Sequence, residues 1–421
     1  MLKLSRLHGW WVALCIVSLV LGGCALSSAP AATREDKWRQ DLKLLATELP
    51  RRHKNLFFQM SKDEFERAVA QLDQQIPSLT DDAIMVNMAR IVAMAGDAHT
   101  RLRLPESGRF HFFPLELYAF EDGWFVTRAT TEYSRALGAR LIEIGDTPIE
   151  QAYAAVSAVI PHENDAQVKN SAPLYLLMAE TLYTLGILPG TDKGQFTFQS
   201  SRGETFTLEL TPAKLDSKPE WAPDPTTGPL PLYRQNPKVN YWFEYLADTQ
   251  TLYVQYNACV GMKDKSFGNF SREVLAFADA HPVQRFVVDF RENDGGDSSL
   301  AQPLITGIKQ RATLNQRGHL FVIVGRATFS SAILNALDFK NKTQAIFVGE
   351  PTGGKPDHYG EFQEFTLPNS RLRVGHSTKY FTYSPDDTPS FMPDVRIELS
   401  SADYFAGRDP ALETTLAYQE K

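Results

Sequence analysis

The run Phe321-Val322-Ile323-Val324 does most to limit what this chain can become. It is apolar, rich in β-branched residues and stops at Gly325, the pattern of a strand buried on both faces. Residues 332–339 follow with Ile333, Leu334 and Leu337 on one helical face. Residues 345–348 form a second short apolar run, leading into Gly349-Glu350-Pro351-Thr352-Gly353-Gly354-Lys355. A buried strand, a tight turn, a helix and another buried strand predict an α/β core. Thr328, Ser330 and Ser331 occupy the turn. A hydroxyl there faces free backbone N–H groups and the positive end of the helix dipole, where an alkoxide or tetrahedral oxyanion is stabilised.

Serine or threonine at a helix start is ordinarily an N-cap, and this stretch alone requires no more. A second stretch upstream changes the balance. Residues 285–290, RFVVDF, read as another buried strand, and Arg291-Glu292-Asn293-Asp294-Gly295-Gly296 follow. Paired glycines at a strand end let backbone N–H groups approach a ligand with no side chain in the way.

The three segments 291–296, 328–332 and 349–354, in this order and spacing, resemble the tail-specific (carboxyl-terminal processing) serine peptidase family, which includes the tricorn core proteases. The resemblance covers residues 241–410 well and the N-terminal part loosely. It implies a ClpP/crotonase-like core of stacked ββα units with Ser330 as nucleophile. It also implies an oxyanion hole from the Gly295 or Gly296 N–H together with that of Ser331. Gly96-Asp97-Ala98-His99-Thr100, between a helix and a strand over 101–104, matches the family's turn in which the histidine is the general base. Lys355 stands at the spacing from Ser330 seen in members with a Ser–Lys dyad. A lysine base must be neutral, so burial would have to lower its pKa from about 10.4 by several units. A histidine starts near 6.5 and needs no such tuning. His99 is therefore favoured as base, with Lys355 as a substrate-facing or solvated cation. Asp386 and Asp387 lie roughly where tricorn-like members place a supporting acid, but a solvated loop is the favoured reading of them.

The N-terminus reads as a targeting segment. Lys3 and Arg6 precede an apolar stretch over 10–21, and Leu21-Gly22-Gly23-Cys24 has lipobox form. The expectation is a bacterial lipoprotein signal over 1–23, cleavage before a diacylglyceryl Cys24, a tether over 24–34, and anchoring at the cell envelope. Ala25 after the cysteine points to the periplasmic face of an outer membrane. Of the three cysteines, Cys15 leaves with the signal and Cys24 carries lipid, so Cys259 has no partner for a disulfide. It reads as a small buried hydrophobe.

A formal net charge of −7 argues against nucleic acid as partner. No Cys/His cluster has zinc spacing, and neither metal nor cofactor is expected. A hydrophobic fraction of 43% suffices for a sizeable core. Residues 35–105 read as a helical region, with helices over 38–49, 65–76 and 81–94 and a capping box at Ser61–Glu64. Residues 106–210 read as a β-rich module of degenerate PDZ-like character. It contains a hairpin turning at Glu121-Asp122-Gly123, helices over 149–159 and 174–188, and a second hairpin around 200–203. Seven prolines over 211–238 suggest an extended linker before a catalytic core over 239–421. The sum is an α/β, overall α+β, exported serine endopeptidase acting on peptide or protein substrates. Two other classes carry the same residues: a non-catalytic binding protein for peptides or apolar ligands, and an esterase or acyl-transfer enzyme.

Overall fold

The computed structural model describes residues 32–104, 108–214, 216–385 and 387–420. The targeting segment, Cys24 and Asp386 lie outside the described residues. Among those described, no helix is long and apolar enough to cross a membrane.

The strand over 321–324 is central in a six-stranded sheet. Its order is Val395–Arg396, Ile346–Gly349, Leu320–Val324, Arg285–Asp289, Thr251–Tyr256 and Tyr241–Leu246. Every neighbouring pair is parallel except the last, where Tyr241–Leu246 runs antiparallel along the edge. Parallel strands need both faces covered, which is why these segments are near-continuous apolar runs. Side chains alternate between the faces. Leu252, Val254, Phe286, Val288, Val322 and Phe347 pack under the helices Phe267–Ala280, Gln302–Lys309 and Ser331–Lys342. Tyr253, Val287, Phe321, Ile323, Ile346 and Val348 pack on the other side against Ala411 and Leu412 of the helix Pro410–Ala417.

The N-terminal helices are Arg34–Arg52, Lys62–Gln75 and Asp81–Ala93. Ser61 and Glu64 form the expected capping box, and Thr33 with Asp36 form a second one. An antiparallel sheet follows in the order Leu115–Phe120, Gly123–Ala129, Arg140–Ile144, Gly194–Gln199, Thr205–Leu210. The helix expected over 174–188 is broken into Asp165–Tyr175 and Ala179–Thr184. Between them Met178 is extended (φ −90°, ψ 107°) and bridges Phe112, while the Leu177 carbonyl accepts from the Phe113 N–H. Strand pairing with a distant segment outweighs helical continuity there.

Two features join segments that lie on either side of the boundaries drawn from sequence. The hairpin His358–Thr366/Arg373–Phe381 has nine residues in each strand. It buries Phe365, Leu367, Leu372 and Val374 in one cluster with Leu42 and Leu45 of the first helix. Its far strand also pairs with the chain after His99, through Leu102 and Val374. The C-terminal part thus completes the N-terminal core. The proline-rich stretch lies against the body: the Thr131 N–H donates to the Glu220 carbonyl (2.8 Å), the Ala222 N–H to Ala129 (2.9 Å) and the Thr227 N–H to Phe405 (2.8 Å).

Candidate active site

The C-terminal ends of the parallel strands are where loops can carry chemistry in an open α/β sheet. Leu320–Val324 leads into the turn 325–330, and Ser330 sits at its tip immediately before the helix Ser331–Lys342. Its φ of +51° and ψ of −123° lie outside the ordinary regions for a side-chain-bearing residue. A sharp strand-to-helix elbow of this kind can present a serine hydroxyl to a cleft. Ser330 caps no helical N–H with its side chain, so the N-cap role does not account for it. Thr328 does the local structural work: its Oγ1 accepts from the Gly325 N–H (3.0 Å) and donates to the Phe290 carbonyl (2.9 Å).

The loop 291–296 is fastened to this turn. Arg291 forms a two-pronged ion pair with Asp409 (2.8 and 3.0 Å) and reaches Asp289, so the loop is anchored to the start of the last helix. The Asn293 carbonyl accepts from the Phe329 N–H (3.0 Å), while its side-chain amide donates to the Tyr256 carbonyl (2.8 Å). Asn293 Oδ1 accepts from the Gly295 N–H at 3.0 Å. The Gly295 amide is therefore already engaged. The Gly296 and Ser331 amides have no intramolecular partner among the described residues. Ser331 Oγ donates to the Gly296 carbonyl (2.6 Å) and ties these two together. A Cβ on Gly295 would stand 2.8 Å from Ser330 Cβ and 3.0 Å from the Ser331 nitrogen, so this approach demands glycine.

His99 arrives from the far side of the chain. Its Nε2 lies 3.0 Å from Ser330 Oγ, the only hydrogen-bond partner of that hydroxyl among the described residues. Phe329 stacks on the imidazole (4.5 Å between centroids), and His358 lies beyond at 5.9 Å. Burial is the largest influence on His99 and pushes its pKa down to about 4; Asp97 opposes this, while His358 and Arg101 add to it. The Asp97 carboxylate is buried and crowded with donors. Oδ2 meets His53 Nε2 (3.0 Å), Thr100 Oγ1 (2.5 Å) and Ser377 Oγ (2.7 Å), and Oδ1 accepts from the backbone N–H of His99 itself (2.9 Å). Burial works against this charge, but the bond from His53, the His99 interaction and the two hydroxyls outweigh it, and the Asp97 pKa lies below the ordinary value. His53 Nδ1 accepts from the Asn55 N–H, so Nε2 carries the proton given to Asp97.

Lys355 points its ammonium at Asp387 (2.6 Å), a carboxylate on the exposed rim. Its backbone N–H instead holds Glu163 Oε2 at 2.9 Å. Glu163 precedes the helix Asp165–Tyr175, whose cap Asn164 donates to the Thr352 (3.1 Å) and Pro389 (2.7 Å) carbonyls. Asp97, His99 and Glu163 each bring one ligand-type atom within 4.8 Å of the others. The Asp97 oxygens are consumed by donors and His99 Nε2 faces Ser330, so this set is suited to acid–base work and poorly suited to holding a cation.

The structure brings together Ser330, His99, Gly295, Gly296 and Ser331, and turns Lys355 aside. Sequence reasoning passed over His53, Glu163 and Ser377. Each sits in a polar stretch with no motif, and the groups it meets in the site are remote in the chain. Cys259 is buried beside Asn293 and Asn335, and burial pushes its thiol up to about 11.

No protein-family model matches the chain, and no curated protein does. Solved structures do. Mature CPAF complexed with lactacystin aligns with a TM-score of 0.65 at 11% identity, covering 91% of this chain and 98% of that one. Mature CPAF alone gives 0.63 at 12% identity over 91% and 96%. The photosystem II D1 C-terminal processing protease overlaps more loosely, with a TM-score of 0.41 at 14% identity over 90% and 99%. The chain therefore shares the mixed α/β fold of mature CPAF over nearly its whole described length.

Proposed function

We propose that the protein is a serine-type peptidase with Ser330 as nucleophile and His99 as general base. The observation that carries this reading is the 3.0 Å contact between His99 Nε2 and a serine hydroxyl held on a strained elbow. Ser330 Oγ attacks a peptide carbonyl while Nε2 takes its proton. The Gly296 and Ser331 amides, without partners among the described residues, receive the oxyanion. His99 then returns the proton to the leaving amine, and water repeats the cycle on the acyl-enzyme. The fold shared with CPAF, a serine protease, supports the same reaction class. Lys355, ion-paired at the rim, suits contact with substrate better than proton transfer.

A fluorophosphonate probe tests the assignment. Wild type should be labelled at Ser330, Ser330→Ala should not, and His99→Ala should lose about 10²–10⁴-fold in labelling rate. Lys355→Ala should keep most of it. Labelling lost in Lys355→Ala but kept in His99→Ala would transfer the base to the lysine.

We further propose that the chain is exported and lipid-anchored through Cys24, from its lipobox and the basic and apolar segments before it. In a bacterial host, Cys24→Ala should move the protein out of the membrane fraction and remove the lipid mass. Unchanged fractionation and mass would refute the anchor.

A further inference from the structure

We propose that Glu163, delivered by the segment ahead of the helix Asp165–Tyr175, is the positioning acid of His99, a role the local sequence would give to Asp97. The inference rests on the reading of His99 as base.

To accept the Ser330 proton on Nε2, neutral His99 must carry its own proton on Nδ1, and a buried N–H needs an acceptor. Asp97 is a poor one. Its nearer oxygen is 3.8 Å from Nδ1, beyond hydrogen-bond range, and already receives the His99 backbone N–H. Its other oxygen serves His53, Thr100 and Ser377. His99 Nδ1 is thus a buried polar atom with no hydrogen bond of good geometry, although the Tyr359 backbone carbonyl also faces the imidazole. Glu163 Oε1 is buried and likewise has no hydrogen bond of good geometry, although the Ala98 amide faces the carboxyl, and a Glu163 oxygen lies within 4.8 Å of both a His99 ring nitrogen and an Asp97 oxygen. The Lys355 N–H holds its other oxygen, and Asn164 clamps the adjoining backbone to the loops at 352 and 389. At that separation a carboxyl rotation, or one water between the two groups, would join the Glu163 carboxyl to the imidazole.

The groups facing Glu163 give this contact a pH signature. Burial first, then the Asp97 charge, push the Glu163 pKa up to about 8 against the Lys355 amide and ammonium and the Ala98 amide. His99 itself faces Asp97, His358 and Arg101. Below about pH 8, Glu163 is a neutral acid and a weak acceptor. Above it, the carboxylate takes Nδ1–H strongly and sets a second negative charge beside the imidazole. Reactivity of Ser330 therefore rises through pH 8. The sign for stability is opposite. A carboxyl whose folded pKa is raised favours folding below its ordinary value of 4.5, and that advantage is lost as pH climbs to about 8.

The full-length chain is tested with a fluorophosphonate from pH 5 to 10. Glu163→Gln keeps an acceptor for the Lys355 N–H but cannot ionise. Its labelling rate at pH 9 should fall about 10–100-fold, as for an outer partner of a functional histidine. The rise near pH 8 should disappear, and its Tm relative to wild type should improve from pH 5 to pH 8. A merely structural glutamate would change Tm and leave the shape of the pH profile intact. On wild type alone, the His99 Nδ1–H resonance should move downfield through the same pH interval, a measurement independent of whether any variant folds. Wild type labelled, with Glu163→Gln matching its rate and profile, overturns the positioning role alone. Wild type unlabelled overturns the nucleophile assignment and this inference with it.

Discussion

Ser330 holds a backbone conformation that costs a non-glycine residue about 1–3 kcal/mol. The surrounding bonds of Thr328 and of the Asn293 carbonyl sustain it. His99 shows a related economy. Burial, helped by the stacked Phe329, keeps its imidazole neutral down to about pH 4. A histidine depressed below its ordinary 6.5 contributes stability above 6.5 that is lost as pH falls toward 4. The acid limb of Ser330 labelling should accordingly be centred near 4. A limb centred at 6.5 would show that the imidazole is solvated in the working enzyme. The same depression makes His99 a weak base at rest, which is why a nearby acid able to strengthen it matters.

Among elements, the loop 291–296 and the start of the helix Ser331–Lys342 act as one unit. Ser331 contributes its amide to the site and its hydroxyl to the Gly296 carbonyl. Ser331→Ala keeps the amide and removes one hydrogen bond of about 0.5–1.5 kcal/mol. The expected result is a small fall in Tm with a larger fall in labelling rate, since a displaced oxyanion donor costs up to about 10²–10³. Equal labelling rates would show that the hydroxyl does not position Gly296. Gly296→Val is the less informative substitution. Its φ is +131° and a Cβ would meet the Cys259 carbonyl oxygen at 2.3 Å, so folding would suffer along with turnover.

At the scale of the whole molecule, the site is assembled where two cores meet. Ser330 sits on the turn after the strand Leu320–Val324 of the parallel sheet, His99 follows the third N-terminal helix, and the hairpin His358–Thr366/Arg373–Phe381 supplies His358 and Ser377. Arg326 helps to join them. It pairs through two bonds with Glu350 (2.6 and 2.7 Å) and donates to the Ala119 carbonyl of the antiparallel sheet (2.6 Å). Breaking such a buried pair by removing one partner typically costs about 3–5 kcal/mol.

The parallel strands, the turn bearing Ser330 and the glycine loop were legible in sequence because each is written in contiguous residues. Apolar runs without alternation demand a sheet covered on both faces, and Gly295 answers a local need for close approach. His99 was legible only through its turn, Gly96 to Thr100, and its contact with Ser330 spans 231 residues. The direction of Lys355 and the cluster of His53, Ser377 and Glu163 around Asp97 and His99 were decided by the tertiary structure. Burial, orphaned polar atoms and hydrogen-bond competition arise only when distant segments pack, and no local pattern encodes them.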